Sequence, residues 1–196
     1  MDLLKLPPLI EAVYNTNIEQ IKNLSQRGID LSQTDYHGRT ACMYAAQKSL
    51  REILPLVCSN NVIDMQDNNG MTALMYAAET IGTFSLVHDI LLYNPDVNKQ
   101  NLWAETALMM MITNNNVNLG KLLIDKGAHI NIQNIRKETA LMIAVIVNNY
   151  DGVLMLLQNG ADKKLINEDG KTALQLAQEH PASNLKIIKL LRFYNL

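Results

Sequence analysis

Asp67-Asn68-Asn69-Gly70-Met71-Thr72-Ala73-Leu74-Met75-Tyr76-Ala77-Ala78 holds a turn, a helix start and a packing face in one short run. Its first four residues are types that tolerate left-handed backbone, which spells a turn. Thr72 follows as a helix N-cap, with a hydroxyl placed to accept from an orphan amide of the first turn. Leu74, Ala77 and Ala78 then fall at helical spacing, and the small pair lets a neighbouring helix approach closely. A second apolar helix follows through Leu86, Val87, Ile90 and Leu91. Asn94 comes just past it, where a helix C-terminus needs positive φ.

The phrase recurs along the chain as Thr40-Ala41-Cys42-Met43, Thr72-Ala73-Leu74-Met75, Thr106-Ala107-Leu108-Met109, Thr139-Ala140-Leu141-Met142 and Thr172-Ala173-Leu174-Gln175. Successive threonines are 32, 34, 33 and 33 residues apart. Self-similarity at such a period means a stacked repeat array in place of one globular core. The Asn94 slot holds Gly28, Asn60, Gly127 and Gly160 in the other copies. These residue types enter left-handed backbone most cheaply. Two independent local signals therefore agree on the register. Arrays of this kind offer an extended surface to another macromolecule, and the expected role is binding, not catalysis.

Bulk composition narrows the partner. Hydrophobic residues make up 48% of the chain, enough for a continuous core, and the net charge is −2. That balance argues against nucleic acid or an anionic membrane held by charge alone. Met1-Asp2-Leu3-Leu4-Lys5-Leu6-Pro7-Pro8 has an early acid and an apolar run stopped by prolines, so it does not read as a signal peptide. No apolar stretch is long enough to span a bilayer. Without a secretory signal, Cys42 and Cys58 are expected as reduced thiols in a cytoplasmic chain, not as a disulfide.

Turn, helix, turn, helix and hairpin loop, repeated five times, resembles the ankyrin repeat. The family phrase Asp-x-x-Gly-x-Thr-Pro-Leu-His-x-Ala-Ala is matched best by Asp67 to Ala78. Its closing Gly-Ala-Asp-Val-Asn is matched by Gly127-Ala128-His129-Ile130-Asn131 and Gly160-Ala161-Asp162. The resemblance implies an all-α solenoid of stacked helix-turn-helix units with hairpin loops, forming one domain over residues 1–196. Its expected parts are an N-terminal capping repeat at 1–34, interior repeats at 35–66, 67–100, 101–133 and 134–166, and a C-terminal cap at 167–196.

The departures from the family phrase are informative. Met43, Met75, Met109 and Met142 stand where the family has histidine, which leaves packing where a hydrogen-bonded tie is usual. Pro55 falls within the second helix of its repeat and should shift its start or kink it. The turn glycine of Gly38, Gly70 and Gly170 becomes Ala104 and Lys137, so those two turns are expected to be reshaped or strained.

By resemblance, partners contact the hairpin fingertips and the outer positions of the first helix. Most residues there are polar, but Leu102, Trp103, Ile135, Ile146 and Val147 are apolar, and Arg136 adjoins them. Tryptophan and arginine are enriched among binding hot spots. A contiguous exposed apolar patch marks an interaction site. The expected protein-binding surface is Leu102, Trp103, Ile135, Arg136, Ile146 and Val147, flanked by Tyr36, Arg39, Met71, Glu105 and Glu138. The competing expectation for Trp103, Ile146 and Val147 is packing against neighbouring side chains.

No nucleophile and base fall in a catalytic arrangement, no glycine-rich phosphate loop is present, and the four histidines are scattered, so no enzyme activity, metal or cofactor is expected. The terminal run from Asn184 to Tyr194 reads as a basic amphipathic helix that closes the array. A monomeric scaffold that binds a protein is the favoured function, with no nucleic acid and no membrane as partner. The alternatives are an oligomerising structural or inhibitory subunit, and a secreted effector-type adaptor acting on host proteins.

Overall fold

The computed structural model describes residues 6–80, 84–180 and 185–194, so Met1 to Lys5 and Asn184 lie outside the described residues. Two compact units divide the chain, Met1–Leu102 and Trp103–Leu196. The first holds α1 (Pro8–Tyr14), α2 (Ile18–Gln26), α3 (Ala41–Gln47), a 3-10 turn (Arg51–Ile53), α4 (Leu54–Val57), α5 (Ala73–Glu79) and α6 (Phe84–Leu91). Within it α1 packs on α2 and α3, α3 on α4 and α5, and α5 on α6. The second holds α7 (Ala107–Thr113), α8 (Val117–Asp125), α9 (Ala140–Ile146), α10 (Tyr150–Gln158), α11 (Ala173–Glu179) and α12 (Leu185–Phe193). There α7 packs on α8 and α9, α9 on α10 and α11, and α12 on α10 and α11. Among the described residues every named element is helical, and only isolated bridges join Thr34 to Thr40 and Ile166 to Thr172. Each unit is thus the stack of helix pairs expected from the repeat.

The recurring phrase explains this local structure. Thr40, Thr72, Thr106, Thr139 and Thr172 each cap a first helix, accepting from the amide three residues on. The Ala45-Ala46 and Ala77-Ala78 pairs are fully buried where first helices meet. At Thr40 the tie is not packing alone, because its amide donates to Met43 Sδ at 3.4 Å. The glycine slot of the turn keeps one backbone throughout. Gly38, Gly70 and Gly170 have φ of +79°, +75° and +73°, and Ala104 and Lys137 follow at +55° and +56°. Those two turns are strained, not reshaped.

The second repeat departs from expectation at three places. Pro55 sits in the first turn of α4, behind the 3-10 turn, where its missing N–H costs little. α4 then ends at Val57, so Asn60 does not take the positive φ seen at Gly28, Asn94, Gly127 and Gly160. Cys42 and Cys58 are not reduced thiols: they form a disulfide, with Cα atoms 5.1 Å apart. The packing of α4 on α3 places the end of one helix over the start of the other, which a separation of 16 residues does not reveal. Cys58 is accordingly buried, not exposed. In α12, Ile187, Ile188 and Leu191 are buried and the cations Lys186, Lys189 and Arg192 are exposed.

Candidate functional site: the hairpin fingertips

Four of the fingers are held from the base by one acidic or amide side chain each. Asp67 Oδ1 accepts from the amides of Asn69 and Met71, both at 2.8 Å. Asp35 does the same for His37 and Arg39, Asn134 for Arg136 and Glu138, and Asn167 for Asp169 and Lys171. Successive fingers are then laced by backbone. In the first unit Asn68 N donates to His37 O at 2.8 Å and Leu102 N to Asn69 O at 2.9 Å. In the second unit Ile135 N donates to Trp103 O at 3.0 Å and Glu168 N to Arg136 O at 2.9 Å. Fingertip side chains are therefore presented in fixed rows.

Trp103 and Ile135 are successive tips in the second unit, 46% and 59% exposed. Arg136 beside them projects into solvent, with its guanidinium 2.8 Å from Glu138 Oε2. Leu102 and Tyr36 are exposed tips of the first unit, and the Tyr36 ring lies against His37 at a 45° tilt with centroids 3.9 Å apart. Ile146 and Val147 are also exposed, at the far end of α9. The helix puts about 10 Å between them and the finger base.

Four flanking positions are more enclosed than a rim of free side chains. Met71 and Glu138 are each only 5% exposed. Met71 Sδ accepts from Asn101 Nδ2 at 3.7 Å, and Glu138 is held by Asn134 and Arg136. Arg39 is ion-paired to Asp35 at 3.0 Å and lies 4.5 Å over the Tyr44 ring. Glu105 is half-buried.

The residues that support the first unit's fingers were not singled out from the sequence. Tyr44 OH donates to Asp35 Oδ2 at 2.8 Å, and Tyr76 OH to Asp67 Oδ2 at 2.6 Å. The signal was present in the repeat. Where position i is Asp35 or Asp67, position i+9 is Tyr44 or Tyr76. Where it is Asn101, Asn134 or Asn167, position i+9 is Met110, Ile143 or Leu176. A carboxylate keeps one oxygen over after binding the turn amides, and the phenol occupies it. Tyr14 adds to this face, edge-on to Tyr44 at 6.0 Å with Lys48 4.8 Å over its ring.

Burial, with the hydrogen bond to Asp35, pushes the Tyr44 phenol up to about 12. Burial also acts to raise Asp35. The amide of Arg39, the Tyr44 hydroxyl and the Arg39 charge outweigh it and hold the carboxyl below its ordinary value of 3.8. The folded form therefore prefers a neutral phenol and a charged carboxylate. The Tyr44 contribution is full below pH 10 and is lost as pH rises toward about 12. The Asp35 contribution is full above its ordinary pKa and is lost as pH falls through the depressed one. Urea unfolding should therefore give a stability plateau at neutral pH that falls on both sides. Tyr44→Phe should flatten part of the alkaline fall, and an unchanged alkaline limb would refute the assignment.

Among the described residues no three His, Cys, Asp or Glu gather to hold a metal, and no helix is long and apolar enough to cross a membrane.

Comparison with known proteins places this geometry. A family model described as ankyrin repeats (3 copies) matches residues 9–88 and 78–167. An ankyrin repeat protein, EF0377, is similar in structure, with a TM-score of 0.86, 26% identity, and coverage of 97% of this chain and 99% of that one. A chain of the complex between the Bd0816 predatory endopeptidase of Bdellovibrio bacteriovorus and the immunity protein Bd3460 has a TM-score of 0.81. Its identity is 29%, with coverage of 97% of this chain and 100% of that chain. An L-asparaginase of Dirofilaria immitis is 30% identical over 153 residues, which is 61% of this chain but only 26% of that protein. With the family model matching across most of its length, the chain belongs to the ankyrin-repeat family.

Proposed function

We propose that this chain is a non-catalytic repeat array that binds a protein partner, with Trp103 and Ile135 as the centre of the contact. The observation that carries this is the pair itself: two large apolar side chains exposed on adjacent fingertips whose backbones are bonded to each other. Arg136 extends the patch with a charge already oriented by Glu138. Anchors of these types, held on a rigid frame, bind with little backbone change. Within the second unit, Ile146 and Val147 at the end of α9 are secondary contacts and Glu138 braces its finger from behind; Tyr36, Arg39 and Leu102 offer the first unit contacts of its own, with Met71 behind them. The similar solved chain from an endopeptidase–immunity protein complex supports a finer reading, a subunit that inhibits the protein it binds. With Cys42 and Cys58 bonded, the thiols no longer argue for a reducing compartment.

The test is affinity capture from native extract with the wild-type chain and a Trp103→Ala/Ile135→Glu variant shown to be folded by its melting curve. Recovery of the partner should drop at least tenfold, about 1.4 kcal/mol. Equal recovery would move the contact elsewhere. Self-association through α12 is the second reading, supported by Phe193, which is 74% exposed. Light scattering of wild type and Phe193→Asp tests it, and a concentration-independent monomer ends it.

A further inference from the structure

We propose that the Cys42–Cys58 disulfide is a redox-controlled staple that holds α4 onto α3, and that reducing it loosens the segment 51–66 while the rest of the chain stays folded. α4 has four residues, whereas α2, α6, α8 and α10 have nine, eight, nine and nine. A helix that short has no stability of its own and depends on what it packs against. Its end also lacks the cap that its counterparts have. Gly28, Asn94, Gly127 and Gly160 turn the chain at positive φ, but the C-cap of α4 is Cys58 in extended backbone, φ −112° and ψ 146°. The disulfide sits at that uncapped end and joins it to the second residue of α3. Beside the disulfide, the segment is held by the burial of Ile53, Leu54, Val57, Val62 and Ile63, by an ion pair between Arg51 and Asp89, and near its end by hydrogen bonds from Asp96 N to Asp64 Oδ1 and from Gln66 Nε2 to Gly70 O and Gln100 O. The cross-link adds its hold by restricting the unfolded segment.

Reduction takes two electrons and two protons, one of each from each of two molecules of a small-molecule thiol of the glutathione class. Its thiolate attacks Cys58 Sγ, the S–S bond breaks, and Cys42 leaves as a thiolate that takes up a proton. A second thiol attacks the mixed disulfide, frees Cys58, and departs with the first as the small-molecule disulfide. Closure is the reverse exchange, with that disulfide as the oxidant. Cys58 is the sulfur attacked because it lies at a helix end and Cys42 is fully enclosed within α3. Both are buried, so attack requires α4 to lift, and the reduction rate reports that local opening.

Hydrogen exchange read by mass spectrometry on the full chain, before and after reduction with a phosphine, tests this directly. Amides in 51–66 should exchange at least tenfold faster after reduction, with little change in 140–158, and the melting temperature should fall by at least about 4 °C. A Cys42→Ala/Cys58→Ala variant should behave as the reduced chain in either buffer. Unchanged exchange and melting on reduction would overturn the proposal. So would loosening spread evenly over the chain, or free thiols at both positions when the protein is alkylated on isolation without reductant. Chemical reduction needs no variant, and none of these outcomes depends on the fingertip contact.

Discussion

Gly70→Ala is expected to cost about 3 kcal/mol of folding stability, Gly170→Ala about 1, and Ala104→Gly to gain up to about 1. All three changes fall in the same turn slot of different repeats. Its backbone is left-handed in each, with φ of +75°, +73° and +55°. A Cβ there costs about 1–2 kcal/mol, less the roughly 0.5–1 that removing glycine's freedom returns. Space separates the two glycines. A Cβ on Gly170 would meet nothing within 4 Å, so only the backbone term applies. On Gly70 it would come within 2.9 Å of Asn101 Cα and Leu102 N, which are backbone and cannot step aside. The finger must then move, and the bond from Leu102 N to Asn69 O is strained. Ala104 already bears the Cβ, so glycine relieves it. Urea midpoints at constant m-value measure all three. Equal losses at Gly70 and Gly170 would sink the role assigned to close finger packing, and a loss at Ala104→Gly would sink the strain.

The same slot shows why much of the fold was legible. Threonine caps, small residues between helices and positive-φ residues at helix ends are local signals, and a repeat states them several times. One conflicting copy, such as Lys137, cannot then shift the register. The second repeat was less legible because its exceptions act together. Pro55 delays the helix, the helix ends early, and the missing cap at Asn60 is replaced by a bond from Cys58 back to Cys42. No single window of sequence contains that sequence of causes. At the candidate site, exposure of Trp103, Ile135 and Leu102 followed from their place at the fingertips. Burial of Met71 and Glu138 did not, because side-chain direction there is set by partners in the third dimension, Asn101 and Asn134. The distance of Ile146 and Val147 from the finger base is likewise a matter of helix length and not of residue type.

Tyr76→Phe is expected to cost about 2 kcal/mol, and adding Asp67→Asn to it should restore part of that loss. Asp67 and Tyr76 are both buried, and their hydrogen bond is 2.6 Å long. Removing the hydroxyl leaves Asp67 Oδ2 without its donor, and an unsatisfied buried carboxylate oxygen is more costly than the lost bond itself. Asn at 67 keeps one oxygen for the amides of Asn69 and Met71, as Asn134 does for Arg136 and Glu138. It carries no charge to strand, and its Nδ2 donates instead of accepting. The second unit already uses this solution, since Asn134 is followed nine residues later by Ile143 and directs its Nδ2 to Glu138 Oε2 at 3.1 Å. The pair is therefore a unit that changes together. Asp67→Asn alone should cost about 1 kcal/mol, because the phenol must turn from donor to acceptor. The double variant should then be less destabilised than the two single losses added, by about 1–2 kcal/mol in a double-mutant cycle. Additive losses would mean that Tyr76 is held by packing alone and that the covariation of Asp with Tyr across the repeats has another cause. A coupling of the expected size would instead identify the carboxylate, anchored by two turn amides and one phenol, as the joint between finger and helix in the first unit.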